Sequence, residues 1–248
     1  MDKININGIL FDNVTRESAA MLAKKALLGA ECKIVVTPNA EIAYNAIKDG
    51  EFFDKISSAD IILPDGAGII KASKMLKTPL AEKVAGVDFG YDVARLCAEL
   101  DVPLFILGGK PNVAEAAAKK LAEMYPALKI SGTENGYFQK AGTENDRVIE
   151  KINSSKAGAL FVCLGSPAQE TWACENKSRF EGLKLICCLG GSIDVYSGNV
   201  KRAPKIFINA RLEWLYRLLK EPRRLSRMMV IPKYFAEIRK VKRNNYKK

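Results

Sequence analysis

Short apolar runs alternate with longer stretches of helical periodicity along most of this 248-residue chain. The runs at 61–63, 102–107, 159–164 and 183–189 are each bounded by turn residues. Apolar runs of this length fit strands that are buried on both faces, as in a parallel sheet. Patterns of 10–15 residues with helical spacing separate them. The sequence therefore predicts an α/β fold, a Rossmann-like, mostly parallel sheet with helices on both faces.

The composition limits the chemistry available to the chain. It contains no histidine, and its six cysteines show no CxxC spacing. Histidine-based triads are therefore excluded, and the commonest zinc ligand is missing. If the protein is an enzyme that uses a general base, we expect that base to be Asp or Glu.

Charge divides the chain into two parts. Residues 199–248 hold sixteen Lys and Arg against three Glu, whereas residues 1–198 have a net charge of −2. We therefore predict an α/β core at 1–198 and a basic, amphipathic, helical C-terminal appendage at 199–248. Such an appendage suits an anionic membrane surface or a nucleic acid, and an ordinary packing helix with solvated charges is the alternative.

Nothing in the sequence indicates a membrane span. No apolar run approaches the roughly 18 residues that cross a bilayer, and the first residues lack the layout of a signal peptide. We therefore expect a cytoplasmic protein.

Polar loops follow five of the predicted strands. Because the carboxyl ends of parallel strands meet at one edge of a sheet, we expect these loops to form a pocket there for a polar ligand. They are the segments 37–39, 64–68, 108–112, 165–169 and 190–194. The glycine turn at 108–109 opens a helix, an arrangement that suits phosphate, but it lacks the GxGxxG spacing of a dinucleotide site.

Local structure offers a second explanation for several of these polar residues. Asp65 follows the strand at 61–63, where a reactive carboxylate would be useful, but it also fits a helix cap. Thr37 before Pro38 fits an N-cap followed by the first helical residue. Ser166 with Gln169 fits a capping box. Asp88 fits the cap of a helix that ends near residue 100.

Five motifs in this order carry a resemblance to a known family. They are TPNAE at 37–41, LPDGAGI at 63–69, GSPAQE at 165–170, GGSIDVYSGNVKRAP at 190–204 and LEWLYRLLKEPRRLSRM at 212–228. The chain resembles the WecG/TagA/CpsF family of bacterial glycosyltransferases over nearly its whole length. Within that family it most resembles the branch that makes the linkage unit of wall teichoic acid. The resemblance implies transfer of N-acetylmannosamine from its UDP donor to the 4-hydroxyl of GlcNAc on undecaprenyl diphosphate.

The resemblance also implies roles for individual residues. Asp65 would be the general base of an inverting transfer. Because the chain has no DxD pair, we expect no metal and no other cofactor, with helix N-termini and cations stabilising the diphosphate. Substrate-binding residues would be Thr37, Asn39, Gln169 and Asp194, with Arg217, Arg224 and Arg227 on an appendage that closes over the site. We also expect Lys83, Gly108 and Gly191 to bind substrate, and Tyr137, from its loop position, to contact the uracil.

Two positions depart from the family pattern as we know it. Lys83 stands in place of Arg, so a phosphate there would lose a bidentate contact. Ala168 replaces a basic residue that is common in the GSPxQE motif.

The expected partners are a UDP-sugar, polyprenyl-diphosphate-linked GlcNAc and an anionic membrane surface, at the inner face of the cell membrane. Three alternatives stay open: another donor such as UDP-ManNAcA or UDP-glucose, a nucleic-acid-binding module that uses the basic tail, or a membrane adaptor without activity. The expected partners include no nucleic acid, because the tail lacks a recognised motif. The apolar stripe at 208–219 could contact membrane, core or another subunit, so a homo-oligomer is also open.

Overall fold

The computed structural model describes residues 2–201, 204 and 229–245. Its strands are short, and all but the first two belong to one sheet. They are β1 (Lys3–Ile6), β2 (Ile9–Asp12), β3 (Lys33–Val36), β4 (Ile61–Ile62), β5 (Leu104–Gly108), β6 (Ile130–Glu134), β7 (Ala159–Cys163) and β8 (Leu185–Cys188).

Helices follow nearly every strand, as the periodicity predicts. They are α1 (Arg16–Leu28), α2 (Ala40–Lys48), α3 (Gly50–Ser57), α4 (Gly66–Met75), α5 (Gly86–Glu99), α6 (Val113–Met124), α7 (Gly142–Ser154), α8 (Ala168–Asn176), α9 (Ser192–Tyr196) and α10 (Val230–Asn245).

The main sheet has the strand order β4-β3-β8-β7-β5-β6, and all its pairings are parallel. A core of buried side chains lies on each of its faces. The first core includes buried residues of α1, α5, α6 and α9, and the second includes those of α2, α3, α4, α7, α8 and α10. The predicted α/β fold with helices on both faces is therefore confirmed.

The N-terminal hairpin supports the edge of this sheet. Strands β1 and β2 pair antiparallel around a turn at Asn7 and Gly8, both of which have positive φ, as the Asn-Gly pair predicts. The buried carboxylate of Asp12 then accepts a hydrogen bond of 2.7 Å from the backbone N–H of Ile62. Among the described strands β4 pairs with β3 alone, so this bond satisfies an N–H group on its outer side.

The C-terminal helix α10 packs on the core. Tyr234 and Ile238 are fully buried in the second core, and the helix contacts α2 and α4. Lys48 and Glu237 form an ion pair of 2.7 Å between α2 and α10. Pro232 lies in the first turn of this helix, where its missing N–H is tolerated. The division of the chain at residue 198 stays a prediction.

Among the described residues, no helix has the length and apolar character needed to cross a membrane.

Candidate active site

The five polar loops meet at the carboxyl edge of the sheet. They follow β3, β4, β5, β7 and β8, and all of these strands run parallel. The helix after β8, α9, packs in the first core, whereas α2 and α8, which follow the neighbouring strands β3 and β7, pack in the second. Helices that diverge to opposite faces leave a crevice between the strand ends, which is where α/β proteins bind ligands.

Asp65 occupies the N-cap position of α4, but its side chain makes no capping hydrogen bond. Instead, Oδ2 accepts a bond of 3.4 Å from the backbone N–H of Gly86, the first residue of α5. The backbone N–H of Asp65 donates to the carbonyl of Pro38 at 3.3 Å. The half-buried carboxylate is thus turned away from its own helix and towards the loops of neighbouring strands.

Thr37 lies directly beside this pair. Its hydroxyl donates to the carbonyl of Cys188 at 3.4 Å, and a Cβ on Gly86 would come within 2.9 Å of the same hydroxyl oxygen. Thr37 is buried, so this close approach leaves room only for glycine at position 86. The contact places Thr37, Gly86 and Asp65 in one cluster.

Asn39 caps α2, and the expectation that Thr37 would do so is wrong. The side-chain oxygen of Asn39 accepts bonds of 2.9 and 3.0 Å from the N–H groups of Glu41 and Ile42. A capping oxygen requires extended backbone at its own residue, and Asn39 has φ −93° and ψ −178°. Because the oxygen is committed to the helix, the NH₂ group is the end of this side chain that can bind a ligand.

Lys83 is brought to the same cluster by its loop. The backbone N–H of Val84 donates to the carbonyl of Pro64 at 2.9 Å, which sets the lysine beside the Asp65 segment. The N–H of Ala81 donates to the side chain of Asn13 at 2.8 Å, and that of Arg16 to Glu82 at 3.0 Å. These bonds fix the loop on both sides of Lys83. The helix that follows begins at Gly86, so Asp88 lies within its first turn and the expectation that Asp88 caps it is wrong.

Gln169 is buried and links two strand ends. Its Oε1 accepts a bond of 2.7 Å from the backbone N–H of Gly190, and its Nε2 donates to Glu170 at 2.8 Å. The residue at the N-cap of α8 is Pro167, and no side chain caps this helix. The capping-box interpretation of Ser166 and Gln169 is therefore wrong.

Glu170 is the residue at this edge that sequence reasoning missed. Its side chain is 1% exposed, and Oε2 has no hydrogen-bond partner among the described residues. Burial raises the pKa of this carboxyl against smaller opposing effects of Gln169 and Ser166. The motif GSPAQE contains the residue, but an acidic side chain in the first turn of a helix is too common to single it out.

Gly191 and Asp194 lie on the turn and helix after β8. Gly191 is exposed and precedes α9, on which Asp194 is half-buried. Burial chiefly raises the pKa of the Cys163 thiol at the end of β7, and the charge of Asp194 raises it further. These residues are thus beside the Gly190–Gln169 contact.

Gly108 is the last residue of β5, the strand that lies beside β7. Its φ is +131°, and a Cβ there would overlap the backbone of Cys163. Only glycine allows β5 and β7 to end this close together. The N–H of Gly136 donates to the carbonyl of Gly109 at 2.9 Å, which joins the β6 loop to the same edge.

Tyr137 is presented to solvent by a braced loop. Its side chain is 69% exposed, and its N–H donates to Asn135 at 2.8 Å. The amine of Lys140 donates to the carbonyls of Gly136 and Phe138 at 2.8 and 2.6 Å. A shallow, open depression lies beside the tyrosine.

The structure does not bring Tyr137 together with Asp65. Asp65 follows β4 at one end of the strand order, and Tyr137 follows β6 at the other. Five strand spacings of about 4.8 Å separate them, so roughly 24 Å lies between the two strand ends. Thr37, Asn39 and Lys83 surround Asp65, whereas Gly191, Asp194, Gln169 and Gly108 lie between the two ends. Arg217, Arg224, Arg227 and the stripe at 208–219 lie outside the described residues.

Comparison with known proteins finds similar sequences over most of the chain. Residues 4–248 match the family model described as "Glycosyl transferase WecG/TagA/CpsF family". A relative from Bacillus subtilis strain 168 is 37% identical over 211 residues, which cover 85% of this chain and 80% of the relative. One from Staphylococcus aureus strain MRSA252 is 32% identical over 243 residues, with coverages of 97% and 94%. Both are named N-acetylglucosaminyldiphosphoundecaprenol N-acetyl-beta-D-mannosaminyltransferase.

Proposed function

The chain belongs to the WecG/TagA/CpsF family of glycosyl transferases, and from this premise we propose that it transfers N-acetylmannosamine from UDP-N-acetylmannosamine to undecaprenyl-diphosphate-linked GlcNAc. The family expected from the five motifs is thereby confirmed. The names of the relatives carry the proposal for the sugar and the acceptor. The product would be the disaccharide that begins the linkage unit of wall teichoic acid.

Asp65 is the general base in this proposal. The 4-hydroxyl of GlcNAc attacks the anomeric carbon, its proton passes to the carboxylate, and the bond from that carbon to the UDP oxygen breaks. Attack opposite the leaving group inverts the anomeric configuration. The observation in support is that the Asp65 side chain is held by Gly86 and does not cap its own helix. Thr37 and Asn39 lie close enough to hold sugar hydroxyls beside it.

The leaving diphosphate needs positive charge, which we assign to the protein and not to a metal. Lys83 lies beside the Asp65 segment, and Arg217, Arg224 and Arg227 are the further cations that the family pattern provides. The glycine turn before α6 offers backbone N–H groups at the start of a helix that no side chain caps. Gly108, Gly191, Asp194 and Gln169 would contact the donor.

We further propose that the protein works at the inner face of the cell membrane, where residues 199–248 hold it on anionic lipid. The acceptor named for the relatives is attached to a lipid, and these fifty residues carry a net charge of +13. Deleting the segment would also remove α10, whose Tyr234 and Ile238 are part of the core. Replacement of Arg217, Arg224 and Arg227 by Gln is therefore the cleaner test. We expect weaker binding to anionic liposomes and loss of transfer together.

The experiment that tests the function measures UDP release from a panel of UDP-sugars with a short-chain prenyl-diphosphate-GlcNAc acceptor, in the presence of EDTA. Turnover confined to UDP-N-acetylmannosamine supports the donor and the metal-free mechanism. Turnover with UDP-ManNAcA or UDP-glucose instead would assign another donor. Turnover that needs added Mg²⁺ would overturn the metal-free mechanism. A salt-sensitive shift with RNA and no binding of UDP would identify a nucleic-acid-binding module.

A further inference from the structure

One oxygen of the buried Glu170 carboxyl, Oε2, has no hydrogen-bond partner in the described part of the chain. The other oxygen, Oε1, accepts from the Gln169 amide at 2.8 Å. A buried polar atom without a partner destabilises the folded state, and in natural proteins such atoms are few and have specific reasons. The environment of Glu170 therefore needs an explanation other than stability.

The two contacts of the Gln169 side chain allow one orientation of its amide. The oxygen faces the N–H of Gly190 at 2.7 Å, and the nitrogen faces Oε1 of Glu170. If the amide were flipped, two donors would face each other at Gly190 and two acceptors at Glu170. Because Gln169 is only 3% exposed, water does not replace either partner.

Hydrogen bonds thus link Glu170 to Gln169 and Gln169 to Gly190, and we call this set of contacts the relay. Its Gly190 end lies at the crevice. Gly190 has φ +51°, and it leads directly into Gly191 and α9. The Gln169 bond is thus a side-chain restraint on the turn between β8 and α9. Thr37, in the Asp65 cluster, donates to the carbonyl of Cys188 two residues earlier on the same strand end.

We propose that Glu170 is a positioning residue for glycosyl transfer, which fixes the amide of Gln169 and, through it, the Gly190–Gly191 turn that binds the donor nucleotide. The inference rests on the proposed function for the place of the donor. It assigns Glu170 no contact with substrate. A carboxyl suits this task because an oxygen at Oε1 accepts from the amide whether the acid is charged or neutral.

The test compares four variants with the wild-type chain: Glu170→Gln, Glu170→Leu, Gln169→Leu and the double Leu variant. Glutamine at 170 keeps an accepting oxygen, so we expect the Kd for UDP and the KM for the UDP-sugar within about twofold of wild type. Leucine at 170 leaves the buried NH₂ of Gln169 without a partner, so we expect both constants to rise about tenfold. The KM for the lipid-linked acceptor should not change.

A rise in the Kd for UDP and in the KM for the UDP-sugar, with an unchanged KM for the acceptor, distinguishes a positioning role from a loss of folded protein. A variant that merely lost folded enzyme would show a lower kcat with an unchanged KM for the donor. The double variant should match Gln169→Leu alone, because Glu170 acts only through that amide. Glu175→Leu is the matched control, since Glu175 lies on the same helix but is exposed and, among the described residues, forms an ion pair with Lys55. It should behave as wild type.

Titration with UDP reports on the relay whichever sugar or acceptor the enzyme uses. If UDP bound to wild type but no UDP-sugar turned over, the proposed function would fail and the variants would still test the relay. Unchanged UDP affinity in Glu170→Leu would overturn the inference, as would additive effects in the double variant. Absence of UDP binding in the folded wild-type chain would overturn both proposals.

Discussion

The carboxylate of Asp65 lies 3.4 Å from the backbone N–H of Gly86, although Asp65 itself stands at the N-cap of α4. An aspartate at this position normally accepts from its own helix. Here the side chain reaches across to the start of α5, a segment 21 residues further along the chain. The Gly86 N–H group helps to orient the carboxylate, and a carboxylate can accept a proton from a bound hydroxyl.

Replacing Asp65 with Asn should remove turnover and spare the fold. Because the side chain does not cap α4, its loss removes no capping bond from the helix. We expect transfer to fall by about 10²- to 10⁴-fold, the range for loss of a general base, with an unchanged Kd for UDP. Single-turnover kinetics and calorimetric titration with UDP measure the two quantities. Normal transfer by this variant would remove Asp65 from the mechanism.

Asn39 allows capping to be separated from substrate binding. Asn39→Ala should lower the free energy of unfolding by about 1 kcal/mol, because two N–H groups of α2 lose their acceptor. Asn39→Asp keeps an accepting oxygen at the start of the helix and should keep the stability. It removes the NH₂ donor and adds a second negative charge near Asp65, so we expect both variants to lose transfer.

Asp49 provides the control for this pair. It caps α3 through the N–H of Phe52 at 3.2 Å, outside the loops of the site. Asp49→Ala should lose a similar free energy and keep transfer. Full activity of Asn39→Asp would show that capping is the whole role of Asn39.

The hydroxyl of Tyr234 should be dispensable for stability. Its ring is fully buried between α10 and the core, and the hydroxyl oxygen has no hydrogen-bond partner among the described residues. Tyr234→Phe should therefore raise the free energy of unfolding by about 1 kcal/mol. Tyr234→Ala should lower it by about 3 to 5 kcal/mol, because it leaves a large cavity. Urea denaturation measures both, and a destabilised Phe variant would point to a partner for the hydroxyl.

The stability of the protein should depend on the ionisation of Glu170. Burial raises its pKa above the value of 4.5 expected for the unfolded chain. As pH rises from about 4.5, the unfolded state loses this proton first, so the folded state loses relative stability until the folded pKa is passed. Glu170→Gln has no such proton. Its free energy of unfolding relative to wild type should therefore increase with pH above 4.5, and a constant difference between pH 4.5 and 7 would contradict the shift.

The sequence was enough to predict the sheet, its burial and the edge where the polar loops meet. Each of these depends on periodicity within a single segment and on the geometry of parallel strands. Strand order depends on contacts between distant segments. The pairing of β3 with β8, which brings Thr37 to Cys188, joins residues 151 positions apart and leaves no local pattern.

Local capping rules gave a wrong expectation in three places, one of which is Asp88, which lies inside the first turn of α5. Thr37 and Asn39 are both capping residues, and Pro38 between them fits either reading, so composition could not decide between the two positions. Ser166 and Gln169 have the spacing of a capping box. The side chain of Gln169 instead accepts a hydrogen bond from the N–H of Gly190, at the end of the neighbouring strand. Local rules predict what a side chain could do for its own helix, whereas tertiary contacts at a site decide what it does.

Asp12 has a consequence that extends to how the protein behaves in solution. Its carboxylate accepts a hydrogen bond from the Ile62 N–H group that faces away from β3. Ile62 is the last residue of β4, three residues before Asp65. An uncovered strand edge is a template for pairing with a second chain. By covering part of this edge, the hairpin would hinder such pairing at the side of the sheet where Asp65, the proposed base, lies. We therefore expect replacement of Asp12 to affect both the solubility of the protein and the strand that leads to Asp65.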